Sequence, residues 1–109
     1  MRNQKHHNIN SDLKFVYSES DTLSIIFQNN EDFLGVVGEF NNNLKELEKI
    51  TGSKIYSRGN SILVKNNQKN NEIVKKAIKF LFEQLKINGT IEKKDIISSI
   101  NNFMINEEI

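Results

Sequence analysis

Residues 34–85 read LGVVGEFNNNLKELEKITGSKIYSRGNSILVKNNQKNNEIVKKAIKFLFEQL, and the glycines and asparagines of this stretch divide it into elements. Phe33, Leu34, Val36 and Val37 suit a short helix from about Glu31, ended by Gly38 as a C-terminal glycine. Asn43 and Glu46 have the residue types of an N-cap with a reciprocal partner three residues on, which predicts a second helix from Asn43. Leu44, Leu47 and Ile50 lie three apart and give that helix one apolar face. Gly52 closes it. Lys54–Arg58 alternates around Ile55, Gly59-Asn60 makes a tight turn, and Ser61–Lys65 returns as the partner strand of a hairpin. Asn66–Asn71 reads as a polar loop. Like Asn41-Asn42-Asn43, the pair Asn66-Asn67 is expected in a solvated turn, because asparagine satisfies its neighbours' backbone groups locally. From Glu72 to Ile87 the apolar residues Ile73, Ala77, Leu81 and Leu85 recur at fours, with Val74 and Ile78 beside them and lysines largely opposite.

Outward from this stretch, Thr22–Phe27 (TLSIIF) is β-branched and aromatic between polar flanks, and predicts a strand. A final helix is expected from about Glu92 to Met104, burying Ile96, Ile97, Ile100, Phe103 and Met104, with Asp95 suiting the dipole at its start. Leu13, Phe15 and Tyr17 alternate only weakly. Residues 1–20 are therefore expected to be a mobile polar arm with at most a loose strand. Residues 21–105 form one α+β domain with its core at about 34–85: a small antiparallel three-stranded sheet covered by helices on one face, plus an extra C-terminal helix at about 92–104.

The 109 residues fit one domain, and the 37% apolar and 27% charged content is that of an ordinary globular protein. A net charge of +1 gives no bulk attraction to nucleic acid, so any such contact must be local. The absence of cysteine excludes disulfides, thiol catalysis and cysteine-ligated zinc. The N-terminus MRNQKHHNINSD has no secretory apolar region, and the cytosol is the simplest compartment. Abundant asparagine, isoleucine and lysine with no proline are what an AT-rich genome encodes.

Catalytic patterns are missing. The sequence contains no GxxxxGK[ST] loop, GxGxxG turn or HExxH. His6-His7 sits in the polar arm, and adjacent residues seldom share one ligand geometry. The serines have no histidine within the expected core to activate them. No catalytic, cofactor-binding or metal-binding residue is assigned.

The order strand, helix, helix, hairpin, helix resembles a KH domain of the type I order βααββα. In that family a GxxG loop joins two helices, and here Gly38-Glu39-Phe40-Asn41 occupies its place. Thr51-Gly52-Ser53-Lys54-Ile55 stands where the family leads into its next strand. The finer resemblance is to the N-terminal KH-like domain of PhoH-like proteins, which carry G-x-x-x-x-N-L-x-x-L-E and then G-x-x-I-x-x-R-G-N. This chain has Gly38, Asn43-Leu44 and Leu47-Glu48, then Gly52, Ile55 and Arg58-Gly59-Asn60. Ile91–Ile100 matches the spacing of the family's last helix, so the resemblance spans roughly residues 20–102. It implies a cytoplasmic, bacterial domain placed ahead of a P-loop ATPase domain and acting on RNA. The sequence ends before that ATPase domain would begin, as an excerpt or a truncated reading frame would. ATP and magnesium belong to the ATPase domain, and no cofactor and no enzymatic activity are expected of this chain.

In a KH domain the glycine loop lets the backbone approach a phosphate, and the following helix offers its free N–H groups. Bases lie beside it, against apolar side chains and a strand edge. The candidate nucleic-acid-binding residues are accordingly Gly38, Glu39, Phe40, Asn41, Lys45, Lys49, Lys54 and Arg58. Asn41 replaces the second glycine and tolerates left-handed backbone. Glu39 repels a phosphate. Arg58 either forks onto a phosphate or pairs with Glu46 or Glu48, and Phe40 either stacks on a base or folds onto the core. The expected partner is single-stranded RNA. The alternative is a protein-interaction module that packs on the ATPase domain, or assembles a homo-oligomer, through Ile97, Ile100 and Met104 of the last helix. Neither reading involves a membrane.

Overall fold

The computed structural model describes residues 12–18 and 21–108, with side chains as far as Asn101. Strands β1 (Leu13–Tyr17) and β2 (Thr22–Phe27) come first, then helix α1 (Asn30–Val37), a 3-10 turn (Glu39–Asn41) and helix α2 (Asn42–Thr51). Strands β3 (Lys54–Arg58) and β4 (Ser61–Lys65) and helices α3 (Gln68–Asn88) and α4 (Lys93–Glu108) follow. The fold is α+β. Its sheet is antiparallel throughout, in the order β1-β2-β4-β3.

The period-two pattern decides which face of the sheet is covered. Leu23, Ile25 and Phe27 of β2, Ile62 and Val64 of β4 and Ile55 of β3 are buried, while the residues between them remain at least partly exposed except Thr22. The helices lie on this inner face. Phe27 meets Phe33 of α1 and Phe82 of α3 edge-on, with centroids 5.6 and 6.0 Å away. Ile96 and Ile100 bring α4 into the same core.

The sheet has four strands, not the three expected. The additional one, β1, lies inside the stretch read as a polar arm and pairs with β2 from Leu13↔Phe27 to Tyr17↔Leu23. Its weak alternation hid the strand because only Leu13 is fully buried. Phe15 is held partly by cation–π contact, 4.9 Å from Lys75 Nζ, and the Tyr17 hydroxyl donates to the Glu72 carboxylate on α3. Residues 1–11, 19 and 20 of that arm, with His6 and His7, lie outside the described residues, as do the side chains of Phe103 and Met104.

Helix α3 begins at Gln68, so the stretch expected as a loop to Asn71 is mostly helix. Asparagines fasten it rather than float in solvent. Asn67 Oδ1 caps Asn70 N at 2.8 Å, and Asn66 Nδ2 donates to Ser53 Oγ at 2.8 Å. Asn71 is wholly buried and donates to the carbonyls of Asp21 (2.9 Å) and Asn66 (3.2 Å), joining the starts of β2 and α3. Two apolar residues assigned to buried faces are exposed: Ile50 at 38%, in the last turn of α2, and Ile97 at 43%. No helix among the described residues is long and apolar enough to cross a membrane.

Replacing Asn71 by alanine removes the amide bond to both carbonyls, leaving Asp21 O only the longer one from Asn66 N at 3.4 Å, and is expected to cost about 1–3 kcal/mol in chemical denaturation. Partial burial, the hydrogen bond to Glu72 and that carboxylate's charge push the Tyr17 phenol up to about 12. Below about pH 10 both folded and unfolded chains keep this proton. Between about 10 and 12 only the folded chain does, so stability falls across that window. Tyr17→Phe is expected to lose less melting temperature between pH 9.5 and 11.5 than the parent, as thermal denaturation at the two pH values will show.

Candidate nucleic-acid interface

The path from α1 to α2 is made by four residues, of which three, Gly38, Phe40 and Asn41, have positive φ. Gly38 has φ 79° and ψ 170°, and its N–H donates to Leu34 O at 3.0 Å. A Cβ added to Gly38 would lie 2.8 Å from the Asn43 side chain, so glycine is required by both backbone and space. Phe40 (54°, 31°) and Asn41 (58°, 28°) are then both left-handed. Such a conformation costs a residue with a Cβ about 1–2 kcal/mol, least for asparagine.

Several hydrogen bonds hold this turn, one of them from Asn42 N to Glu39 O. Asn41 N donates to Gly38 O at 3.1 Å, Asn41 Nδ2 to Ser57 Oγ at 2.9 Å, and Asn43 Nδ2 to Val36 O at 3.0 Å. The Asn41–Ser57 bond ties the turn to β3, an edge strand of the sheet. Asn43 is therefore not the cap of α2: the helix starts at Asn42, and Asn43 spends its amide on the preceding helix. Glu46 does not complete a capping box, and pairs with Lys49 at 3.6 Å. Asn41 occupies the cap position but makes no side-chain capping bond, so the first N–H groups of α2 have no side-chain acceptor.

Phe40 stands at the tip of the turn with 84% of its surface exposed. Of its two expected roles, folding back onto the core is the one this placement removes. An exposed phenyl ring on strained backbone contributes nothing to packing, and strain of this kind concentrates at binding sites.

Two open grooves meet at Asn42 and Asn43. One, of about 470 Å³, is lined by Lys45, Lys49 and Lys93 with Glu46. The other, of about 390 Å³, lies on the Gly38–Glu39 side against Leu34 and Leu85. The first is cationic, with three lysines against one carboxylate, and Lys45 and Lys93 form no ion pair among the described residues. Lys93 was missed in the sequence. A lysine in the first turn of a helix opposes the dipole, and that misfit was the signal available at the start of α4.

The eight sequence candidates do not form one cluster. Gly38, Glu39, Phe40 and Asn41 make the turn, and Lys45 and Lys49 line the groove beside it. Lys54 and Arg58 are exposed on β3 at positions that face the other side of the sheet from Ile55. Arg58 pairs with neither Glu46 nor Glu48. Glu48 instead accepts the edge N–H of Ile55 at 2.7 Å, and so performs the pinning of hairpin to helix that Arg58 was offered for. Among the described residues no cluster of three metal-ligating side chains forms.

No protein-family model matches the chain, and no curated protein or solved structure matches it.

Phe40→Gly is expected to raise stability by about 0.5–1 kcal/mol, because relief of the left-handed backbone exceeds the entropy that glycine adds. Gly38→Ala is expected to lower it by at least about 1 kcal/mol, through positive φ and the contact with Asn43. Urea denaturation of both variants checks the opposite signs.

Proposed function

We propose that this chain is an accessory KH-like domain that binds single-stranded RNA and positions it for an attached P-loop ATPase domain of the PhoH type. From β2 onward the order of elements is βααββα, with the sheet order β2-β4-β3. That order supports the KH reading of type I, with β1 and α4 as additions at the two ends. The observation that carries the proposal is the exposed Phe40 ring, held on a strained turn two residues before Asn42, which lines the lysine-bearing groove.

The binding chemistry follows from that placement. A phosphate enters beside Asn42, whose own amide donates to Glu39 O, where the next amides of α2, without a side-chain cap, and the ammonium groups of Lys45 and Lys93 attract it. The adjoining base stacks on Phe40. Asn41 fills the second glycine position of the family's loop and takes up the left-handed backbone that a glycine there would take. Glu39 repels phosphate from the opposite groove, which favours the lysine side. ATP and magnesium act in the attached domain, and no residue of this chain is assigned to them.

The interaction-module alternative is left with a smaller surface. Of Ile97, Ile100 and Met104, Ile100 is in the core, the Met104 side chain is outside the described residues, and Ile97 is the exposed one.

Fluorescence anisotropy with a labelled six-nucleotide RNA at low salt tests the proposal. Binding should weaken with salt, Phe40→Ala should reduce affinity about tenfold, and Lys45→Ala with Lys93→Ala should flatten the salt dependence. Binding that is absent at low salt, or unchanged in all three variants, contradicts it.

A further inference from the structure

The sheet face away from the helices carries a second arrangement that the groove does not use. Its central row runs across the strands as Val16, Ser24, Leu63 and Tyr56 in register. These side chains are half-exposed or exposed, and no described helix packs over them. One step away on either side, about 6.7 Å along the strands, stand cations. Lys54 and Lys65 face each other on one side of the row, and Lys14 and Arg58 lie in one register row on the other. All four are exposed, none forms an ion pair among the described residues, and no outward-facing position of the four strands carries a carboxylate.

The Lys54↔Lys65 pair is informative. Like charges directly opposite on neighbouring strands are destabilising, and a carboxylate at either position would remove the repulsion. An anion lying between them does the same. The row, apolar apart from Ser24 and with a phenol at one end, lies between two cationic flanks and suits a chain with flat bases and a charged backbone. A second copy of this chain does not suit it, because face-to-face docking would bring four cations against four.

We infer that this open face is a second binding surface for single-stranded nucleic acid, with bases on the Tyr56–Leu63–Val16 row and phosphates at Lys54, Lys65 and Arg58. The inference takes its ligand class from the groove reading. It extends the bound strand from the Phe40 turn over the β3 edge, to which Asn41 ties that turn through Ser57.

The test compares a four-nucleotide with a twelve-nucleotide single-stranded RNA, using Lys65→Glu, Tyr56→Ala and Phe40→Ala. Lys65→Glu places a carboxylate opposite Lys54, so its melting temperature should equal or exceed the parent's. It should nevertheless bind the twelve-mer about tenfold more weakly, with a log–log salt slope shallower by at least about 0.7. Tyr56→Ala should lose about tenfold on the twelve-mer, and neither face variant should change binding of the four-mer. If Lys65→Glu and Tyr56→Ala bind the twelve-mer within twofold of the parent, the open face is not a binding surface, whatever Phe40→Ala does. If they lose binding while Phe40→Ala does not, the face stands and the groove reading fails. Twelve-mer binding undetectable at low salt, with capture by anionic lipid vesicles instead, also overturns the inference.

Discussion

The hydrogen bond from Asn41 Nδ2 to Ser57 Oγ, 2.9 Å long, is the contact on which the arrangement of the site depends. It fastens a turn of high backbone energy to the rigid edge of a sheet. Together with the bonds from Asn41 N to Gly38 O and from Asn43 Nδ2 to Val36 O, it offsets the left-handed Phe40, whose ring is exposed and packs against nothing in the core. With it, α2 starts at a fixed position without a side-chain cap, and Asn43 holds the end of α1 through Val36. The asparagine that would ordinarily cap the helix is used to anchor the turn. The consequence is a helix terminus that is poorer for stability and better for an anion.

Net charge conceals the electrostatics of this domain. A balance of +1 over the whole chain coexists with a groove of three lysines and one glutamate, and with a sheet face whose charged outward residues are all cations. Several carboxylates are engaged elsewhere. Glu48 accepts a backbone N–H of β3, Asp32 bridges α1 to α3 through Lys86 at 2.9 Å, and Glu72 accepts from Tyr17. Using acidic groups as internal fasteners leaves the basic ones unopposed at the surface, and screening makes their attraction a short-range one.

Much of the fold was legible in periodicity. The α2 face at Leu44 and Leu47, the β3–β4 hairpin and the long α3 helix follow from spacing that one face of a helix or strand imposes. What was not legible depended on long-range contacts. Strand β1 is recognisable only once Lys75 and Glu72 of α3 lie beside it, some 55 residues away in sequence. The asparagine-rich stretch at 66–71 looked like a turn because asparagine prefers turns, yet the carbonyls of Asp21 and Asn66, ahead of β2 and α3, hold the buried Asn71 within a helix. At the site, Gly38 and the turn were readable from the glycine. The true roles of Asn41 and Asn43 were not, because their partners Ser57 and Val36 come together only in the folded chain.

A titration of isotopically labelled protein with a short single-stranded RNA, followed by amide chemical shifts, measures most directly whether the strained turn is a ligand site. The largest shifts should fall on Phe40 through Lys45 and on Ser57, saturate together, and shrink with added salt. Shifts that leave those amides unmoved while others respond, or a spectrum indifferent to RNA at low salt, would contradict a nucleic-acid role for the turn.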